Sequence, residues 1–436
     1  MKRFANALLC ASALSMLGTA ALAEKLTIAT VNNGDMIRMQ KLGDDFTAKN
    51  PDIELEWVTL EENILRQRVT TDIATKGGQY DVMTIGTYEV PIWGKQGWLV
   101  SLNDLPASYD VDDLLPAIRG GLTVDGELYA APFYGESSMV MYRTDLMEKA
   151  GMEMPEAPTW QFIREAAAAM TDKDAGIYGI CLRGKAGWGE NMAFLTATAN
   201  SFGAKWFDMD WNAQFDSPEW KEALTFYIEM MNESGPPGAA GNGFNENLAL
   251  FQTGKCGMWI DATVAASFVT NPTDSQVADK VGFALAPDNG LGKRGNWLWA
   301  WSLGIPAGTQ KAESAKKFVE WATSKDYLAL VAEKEGWANV PPGTRTSLYE
   351  NPEYAKVPFA KMTLDSINAA DPQNPTVDKV PYVGVQFVAI PEFQGIATAV
   401  GQQFSAALAG TTSIDDALAN AQALTTREMK KAGYPK

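Results

Sequence analysis

Three short polar segments carry groups able to hydrogen-bond a polar solute: Asn32-Asn33-Gly34-Asp35, Glu61-Glu62-Asn63 and Thr87-Tyr88-Glu89. Their amides and carboxylates can donate and accept hydrogen bonds, but the chain contains no histidine to activate a nucleophile. That absence removes Ser-His-Asp and Cys-His pairs, histidine zinc sites and imidazole proton shuttles. Carboxylates alone can still hydrolyse glycosides, given two acids about 5 to 10 Å apart across the bond. Adjacent Glu61 and Glu62 do not form that arrangement by themselves. Turn formation competes for Asn33 and Asp35, and a solvated helix start competes for Glu61 and Glu62.

All three segments follow apolar runs. Leu26 to Val31 reads as a strand, and Met39, Leu42 and Phe46 at helical spacing follow it up to Asn50-Pro51. Ile53 to Leu60 alternates as a second strand, with Leu65, Val69 and Ile73 along one face of the next helix. Asp81 to Ile85 is a short buried-type strand. This βαβαβ opening predicts an α/β fold with a mostly parallel sheet flanked by helices. In such sheets ligands gather beyond the carboxyl ends of the strands, where the three polar segments sit. A second unit begins near Tyr134. Thr159 and Ser217 are placed to cap helices there, and Glu233-Ser234-Gly235-Pro236-Pro237-Gly238 breaks the second of them.

The 436-residue length favours two or more domains. Met1-Lys2-Arg3, the apolar stretch Ala5 to Leu22 and the small-x-small Ala21-Leu22-Ala23 together read as a cleavable export signal over residues 1–23. Leu9 is too bulky for a lipoprotein signal ending at Cys10, so a lipid anchor is rejected and a freely diffusing periplasmic protein is expected. A formal charge of −17, more negative still without Lys2 and Arg3, repels phosphate backbones and excludes nucleic acid as a natural partner. It also opposes adhesion to anionic lipid. Cys181 and Cys256 remain after the signal; an oxidising compartment permits them to pair, and two buried free thiols are equally compatible with the sequence. No clustered motif points to a metal or other cofactor.

An ordered set of motifs extends through nearly the whole chain after the signal. It runs from Phe46-Thr47-Ala48-Lys49-Asn50-Pro51-Asp52-Ile53-Glu54 and Tyr80-Asp81-Val82 to Gly97-Trp98-Leu99-Val100-Ser101-Leu102 and Asp125-Gly126-Glu127-Leu128-Tyr129-Ala130-Ala131-Pro132. Tyr142-Arg143-Thr144-Asp145-Leu146, Pro158-Thr159-Trp160, Phe251-Gln252-Thr253-Gly254-Lys255-Cys256-Gly257-Met258 and Trp321-Ala322-Thr323-Ser324 follow in order. In this order the chain resembles the extracellular solute-binding proteins of carbohydrate ABC importers. Gly187-Trp188-Gly189-Glu190-Asn191 and Trp297-Leu298-Trp299-Ala300-Trp301 narrow the likeness to the sorbitol/mannitol-type polyol receptors.

The resemblance implies two α/β lobes, each a mixed, mostly parallel sheet flanked by helices, closing on a ligand between them. It implies lobes of residues 24–135 with 290–336 and 136–289 with 337–436, crossings near 133–138, 287–296 and 335–340, a monomer, and membrane permease subunits as partners. It implies capture rather than catalysis, with a mono- or disaccharide or a glycerol phosphodiester as alternative ligands. A carboxylate-dependent carbohydrate enzyme is the reading from another class. Burying a polyol demands charged or amide partners for each hydroxyl and apolar surface for its carbon spine. The expected ligand-binding set is Asn33, Asp35, Glu61, Glu62, Tyr88, Tyr134, Glu136, Trp188, Asp261, Trp299 and Arg345. Trp188 lies among glycines, a poor place for a core residue. Asp261 ends an apolar run, where capping the next helix competes. Trp297, Trp299 and Trp301 share one face of a strand, and Trp299 is the choice among them. Arg345 matches a loop that supplies a hydroxyl-binding arginine in the family, with an exposed surface position as its alternative.

Overall fold

The computed structural model describes residues 23–435, so the expected export signal lies outside the described residues but for Ala23. The first sheet is built from β1 (Glu24–Val31), β2 (Ile53–Leu60), β3 (Val82–Gly86), β6 (Ala130–Glu136) and β11 (Trp299–Gly304), in the order β2-β1-β3-β11-β6. A two-stranded hairpin, β4 (Thr123–Val124) and β5 (Glu127–Leu128), lies outside it. The second sheet orders β7 (Ser138–Arg143), β8 (Tyr178–Cys181), β9 (Cys256–Ala262) and β10 (Val281–Leu285) as β10-β7-β9-β8.

Each sheet contains one reversed strand. β11 runs antiparallel to both β3 and β6, and β7 runs antiparallel to both β10 and β9. The other strands of each sheet share a direction, giving two mixed, mostly parallel sheets. The reversal follows from the chain path. β6 ends at Glu136 and β7 starts at Ser138 in the other sheet, so the entering strand arrives against the local direction. The same holds where β10 gives way to β11. These are the two lobes of the fold.

In the first lobe β1 and β2 pair in parallel from Glu24↔Ile53 to Val31↔Leu60. Leu26, Ile28, Ala29 and Val31 are buried on both faces of β1, as a strand covered by helices on both sides requires. The helix predicted from Met39, Leu42 and Phe46 is two helices, α1 (Gly34–Lys41) and α2 (Gly43–Lys49), hinged at Leu42. α3 (Glu62–Thr75) and α4 (Glu89–Lys95) follow β2 and β3. Each helix thus opens at the carboxyl end of a strand, and Asn33, Glu61 and Tyr88 stand at the three caps. In the second lobe the Thr159 and Ser217 hydroxyls accept the Phe162 and Trp220 amides, as the sequence leads one to expect. Among the described residues no helix is long and apolar enough to cross a membrane.

Cys181 and Cys256 are joined as a disulfide that ties β8 to β9, with Cα atoms 6.0 Å apart. The bridge closes a loop with a sequence separation of 75. Restricting the unfolded chain over that length stabilises the fold by about 2–4 kcal/mol. Replacing both cysteines with serine should therefore lower the melting temperature while leaving the far-UV circular dichroism spectrum unchanged. Coincident melts would show that the bridge contributes nothing.

Candidate functional site

The strand ends of the two lobes face one another across a small, nearly closed cleft. Asn33, Glu62, Arg66, Tyr134, Glu136, Trp299 and Trp301 line it from the first lobe and its crossings. Arg183, Trp188, Phe244 and Val264 line it from the second, with Trp297 and Gln386 beside them.

α3 supplies the first charged pair because Glu62 and Arg66 are one helical turn apart. Arg66 donates to Glu62 Oε1 through Nε at 2.9 Å and Nη2 at 2.8 Å. Its remaining arm donates to Glu89 Oε1 at 3.0 Å. The guanidinium lies over three indoles, with Cζ 4.0 Å from the Trp188 ring centre, 4.5 Å from Trp301 and 4.8 Å from Trp299. Delocalised charge against indole faces is favourable, more so where water is excluded. Glu89 accepts the Gly86 amide at 2.9 Å, and burial raises its carboxyl above the usual range despite Arg66. Two close approaches make this packing possible. A Cβ on Gly86 would lie 1.9 Å from Trp299, and one on Gly189 would lie 2.2 Å from Glu62 Oε1.

The second pair comes from the segment after β8. Arg183 grips Asp261 with Nε at 2.9 Å and Nη2 at 2.7 Å. Its Nη1 donates to the Gly189 carbonyl at 2.8 Å and to Glu190 at 3.4 Å. Burial pushes the Glu190 carboxyl up to about 8, Arg183 opposing and Glu62 adding to the shift. Between the two clusters stands Glu136. It is buried, and burial raises its carboxyl well above the usual range; Arg183 opposes this, while Asp261 and Glu62 add to it. Among the described residues no donor reaches its carboxylate. Nearby, Asn33 Nδ2 donates to Tyr134 Oη at 2.9 Å, which orients the phenol over the cavity.

The structure divides the expected residues. Asn33, Glu62, Tyr134, Glu136, Trp188 and Trp299 are brought together at the cavity wall. Five others lie away from it, each for a stated reason. Asp35 points back to Arg38 on its own helix, and burial raises it to about 6. Glu61 caps α3 by accepting the Asn63 and Ile64 amides, and its other oxygen takes Lys185 Nζ of the opposite lobe at 2.7 Å. Tyr88 donates to the Ile390 carbonyl at 3.0 Å and packs behind Trp188, ring centres 4.8 Å apart. Asp261 has its oxygens filled by Arg183, Trp259 Nε1 and the Ala262 amide, so it positions Arg183 instead of meeting the cavity. Arg345 is fully buried against first-lobe residues, donating to the Asp110 and Thr323 carbonyls and lying over Tyr109.

Arg66, Arg183, Phe244, Gln386 and two further tryptophans were not anticipated. Arg66 could have been found from its i,i+4 spacing to Glu62, and Arg183 from its place two residues beyond a strand end. Trp297 and Trp301 were visible in the alternation, but all three indoles reach the wall, not Trp299 alone. Gln386, which exchanges hydrogen bonds with the Leu298 backbone, has no local signal. A larger, more apolar groove runs past Pro91, Ile92, Tyr382 and Val383. It is lined mainly by apolar side chains, whereas the smaller cavity brings buried carboxylates and guanidinium groups together from both lobes, which makes the smaller cavity the better small-molecule site.

The family model for bacterial extracellular solute-binding proteins matches residues 33–329. The chain belongs to that family. It is 57% identical over 431 residues to the mannitol-binding protein of Pseudomonas aeruginosa, covering 99% of both chains. A crystal structure of an ABC transporter solute-binding protein from Agrobacterium vitis with bound D-mannitol is 76% identical. It superposes with a TM-score of 0.94 over 95% of this chain and all of that one. A ribitol complex from Agrobacterium radiobacter shares the fold, with a TM-score of 0.82 at 24% identity over 93% and 99% of the two chains. Membership makes this chain a solute-binding protein of an ABC importer, and its two-lobed architecture is that of the family. It is a binding protein and not an enzyme.

Proposed function

We propose that the protein captures a six-carbon sugar alcohol, mannitol or sorbitol, between its lobes in the periplasm and presents it to the membrane permease of an ABC importer. The observation that carries this reading is the cavity wall: four indoles and Phe244 offer apolar surface, while Glu136, Glu62 and Arg183 converge from both lobes. A linear polyol matches that mixture, with CH groups for the rings and hydroxyls that both donate and accept for the charged groups. The ligands named for the mannitol-binding relatives support the same choice. A phosphodiester fits less well, because each guanidinium at the wall is already engaged by two carboxylates and no cation is left over.

The sheet crossings support lobes of residues 24–135 with 290–336 and 136–289 with 337–436. The mature chain acts as a monomer without cofactor, freed by removal of residues 1–23. Contacts such as Glu61–Lys185 and Asn63 Nδ2 to the Ala186 carbonyl join the lobes when closed. Ligand bridging both lobes shifts the population toward that form. Calorimetric titration with hexitols, pentitols, hexoses, disaccharides and glycerol phosphodiesters tests the reading. Mannitol or sorbitol should bind tightest; preference for a ring sugar or a phosphodiester would replace it.

A further inference from the structure

The cavity holds more buried acid than buried base. Arg66 is engaged by Glu62 and Glu89, and Arg183 by Asp261 and Glu190. Lys185, half-buried at the rim, takes Glu61 and stands 3.8 Å from Glu190. Among the described residues every cation within reach is therefore occupied, and Glu136 is left without one. Glu62 and Arg66 face it from α3, Arg183 from the segment after β8, Asp261 from β9 and Tyr134 from its own strand. An isolated carboxylate in a closed, indole-lined space loses the hydration it has when the lobes part, and a neutral polyol brings no charge to replace it.

We propose that lobe closure on a neutral polyol takes up one proton from solution and that Glu136 holds it. The inference rests on the receptor reading given above. A protonated Glu136 gains a donor beside its acceptor oxygens, which suits a hydroxyl as well as the ionised form does. The sign follows from linkage. Open to water, Glu136 titrates in the ordinary carboxylate range, and its burial in the closed structure raises it well above that range. Between the open and closed values the closed, liganded form binds more protons, so polyol affinity strengthens as pH falls through that window.

The test is calorimetric titration of the intact mature protein with D-mannitol at pH 7 in buffers of different ionisation enthalpy. The observed heat should vary linearly with buffer ionisation enthalpy, with the sign of proton uptake, and the dissociation constant should fall by up to about tenfold per pH unit of acidification. Glu136→Gln should abolish the buffer dependence. Glu190 is the competing proton acceptor, since burial raises its carboxyl to about 8 even with Arg183 and Lys185 beside it; with the proton on Glu136, Glu190→Gln keeps the buffer dependence. Binding with no buffer dependence in the wild type overturns the inference and leaves the receptor reading intact. Loss of uptake in Glu190→Gln overturns the assignment to Glu136. If Glu136→Gln does not bind, the wild-type slope and the Glu190→Gln slope still decide. Absence of any heat with every polyol overturns the receptor reading, and this inference with it.

Discussion

Arg66→Ala should unfold at a markedly lower temperature and lose mannitol binding. The guanidinium joins Glu62 of the cavity wall to Glu89 beneath it, and both carboxylates are buried. Removing one partner of a buried ion pair costs about 3–5 kcal/mol, because the remaining charge has no water to turn to. The loss also removes the cation that lies against Trp188, Trp299 and Trp301. With that contact gone, Trp188 and Trp299 keep their edge contact, ring centres 5.8 Å apart, but lose the cation that both lie against. Thermal melting reads the first effect and titration calorimetry the second. Wild-type melting combined with wild-type affinity would mean that the ion cluster holds neither the fold nor the site.

Arg345→Ala should separate the two effects. Its side chain is fully buried among Tyr109, the Asp110 and Thr323 carbonyls and Asp113, which lies 3.4 Å away. Truncation removes a donor from the Thr323 carbonyl, while Asp113 keeps Ser347 and Lys325 and the Asp110 carbonyl keeps the Asp113 amide. The stranded carbonyl costs about 1–3 kcal/mol, and the loss of a fully buried side chain over Tyr109 adds to it. The folded fraction should nevertheless bind mannitol as the wild type does, since Arg345 lies outside the cavity wall. A normal melt with weakened binding would return Arg345 to the site.

The contrast between these two arginines marks what could be read from sequence. The first lobe was legible because alternation in Ile53–Leu60 and helical spacing in Leu65, Val69 and Ile73 are local signals, and a βαβαβ run dictates where its loops point. That logic located Asn33 and Glu62. It could not decide which of two adjacent glutamates turns inward, because that depends on which one caps the helix: Glu61 does, which leaves Glu62 facing the cavity. Asp261 was expected at the end of a strand beside the ligand, and in the structure its oxygens are turned to Arg183. Its partner Arg183 is 78 positions away in sequence, and no local pattern announces a bidentate grip at that separation. Arg345 follows the same rule in reverse, since its loop matched the family pattern while its partners at Asp110, Asp113 and Thr323 were hidden by distance along the chain. The pairing of Cys181 with Cys256 was likewise open until β8 and β9 were seen side by side.

The central claim is that a linear polyol sits between the lobes against the indole wall with Glu136 beside it. A crystal structure of the protein grown with D-mannitol tests this most directly. The expected result is mannitol in the cavity between Trp188 and Trp299, a hydroxyl within hydrogen-bond distance of the Glu136 carboxyl, and the lobes closed as described. An empty cavity, or mannitol held instead in the groove between Pro91 and Tyr382, would contradict it.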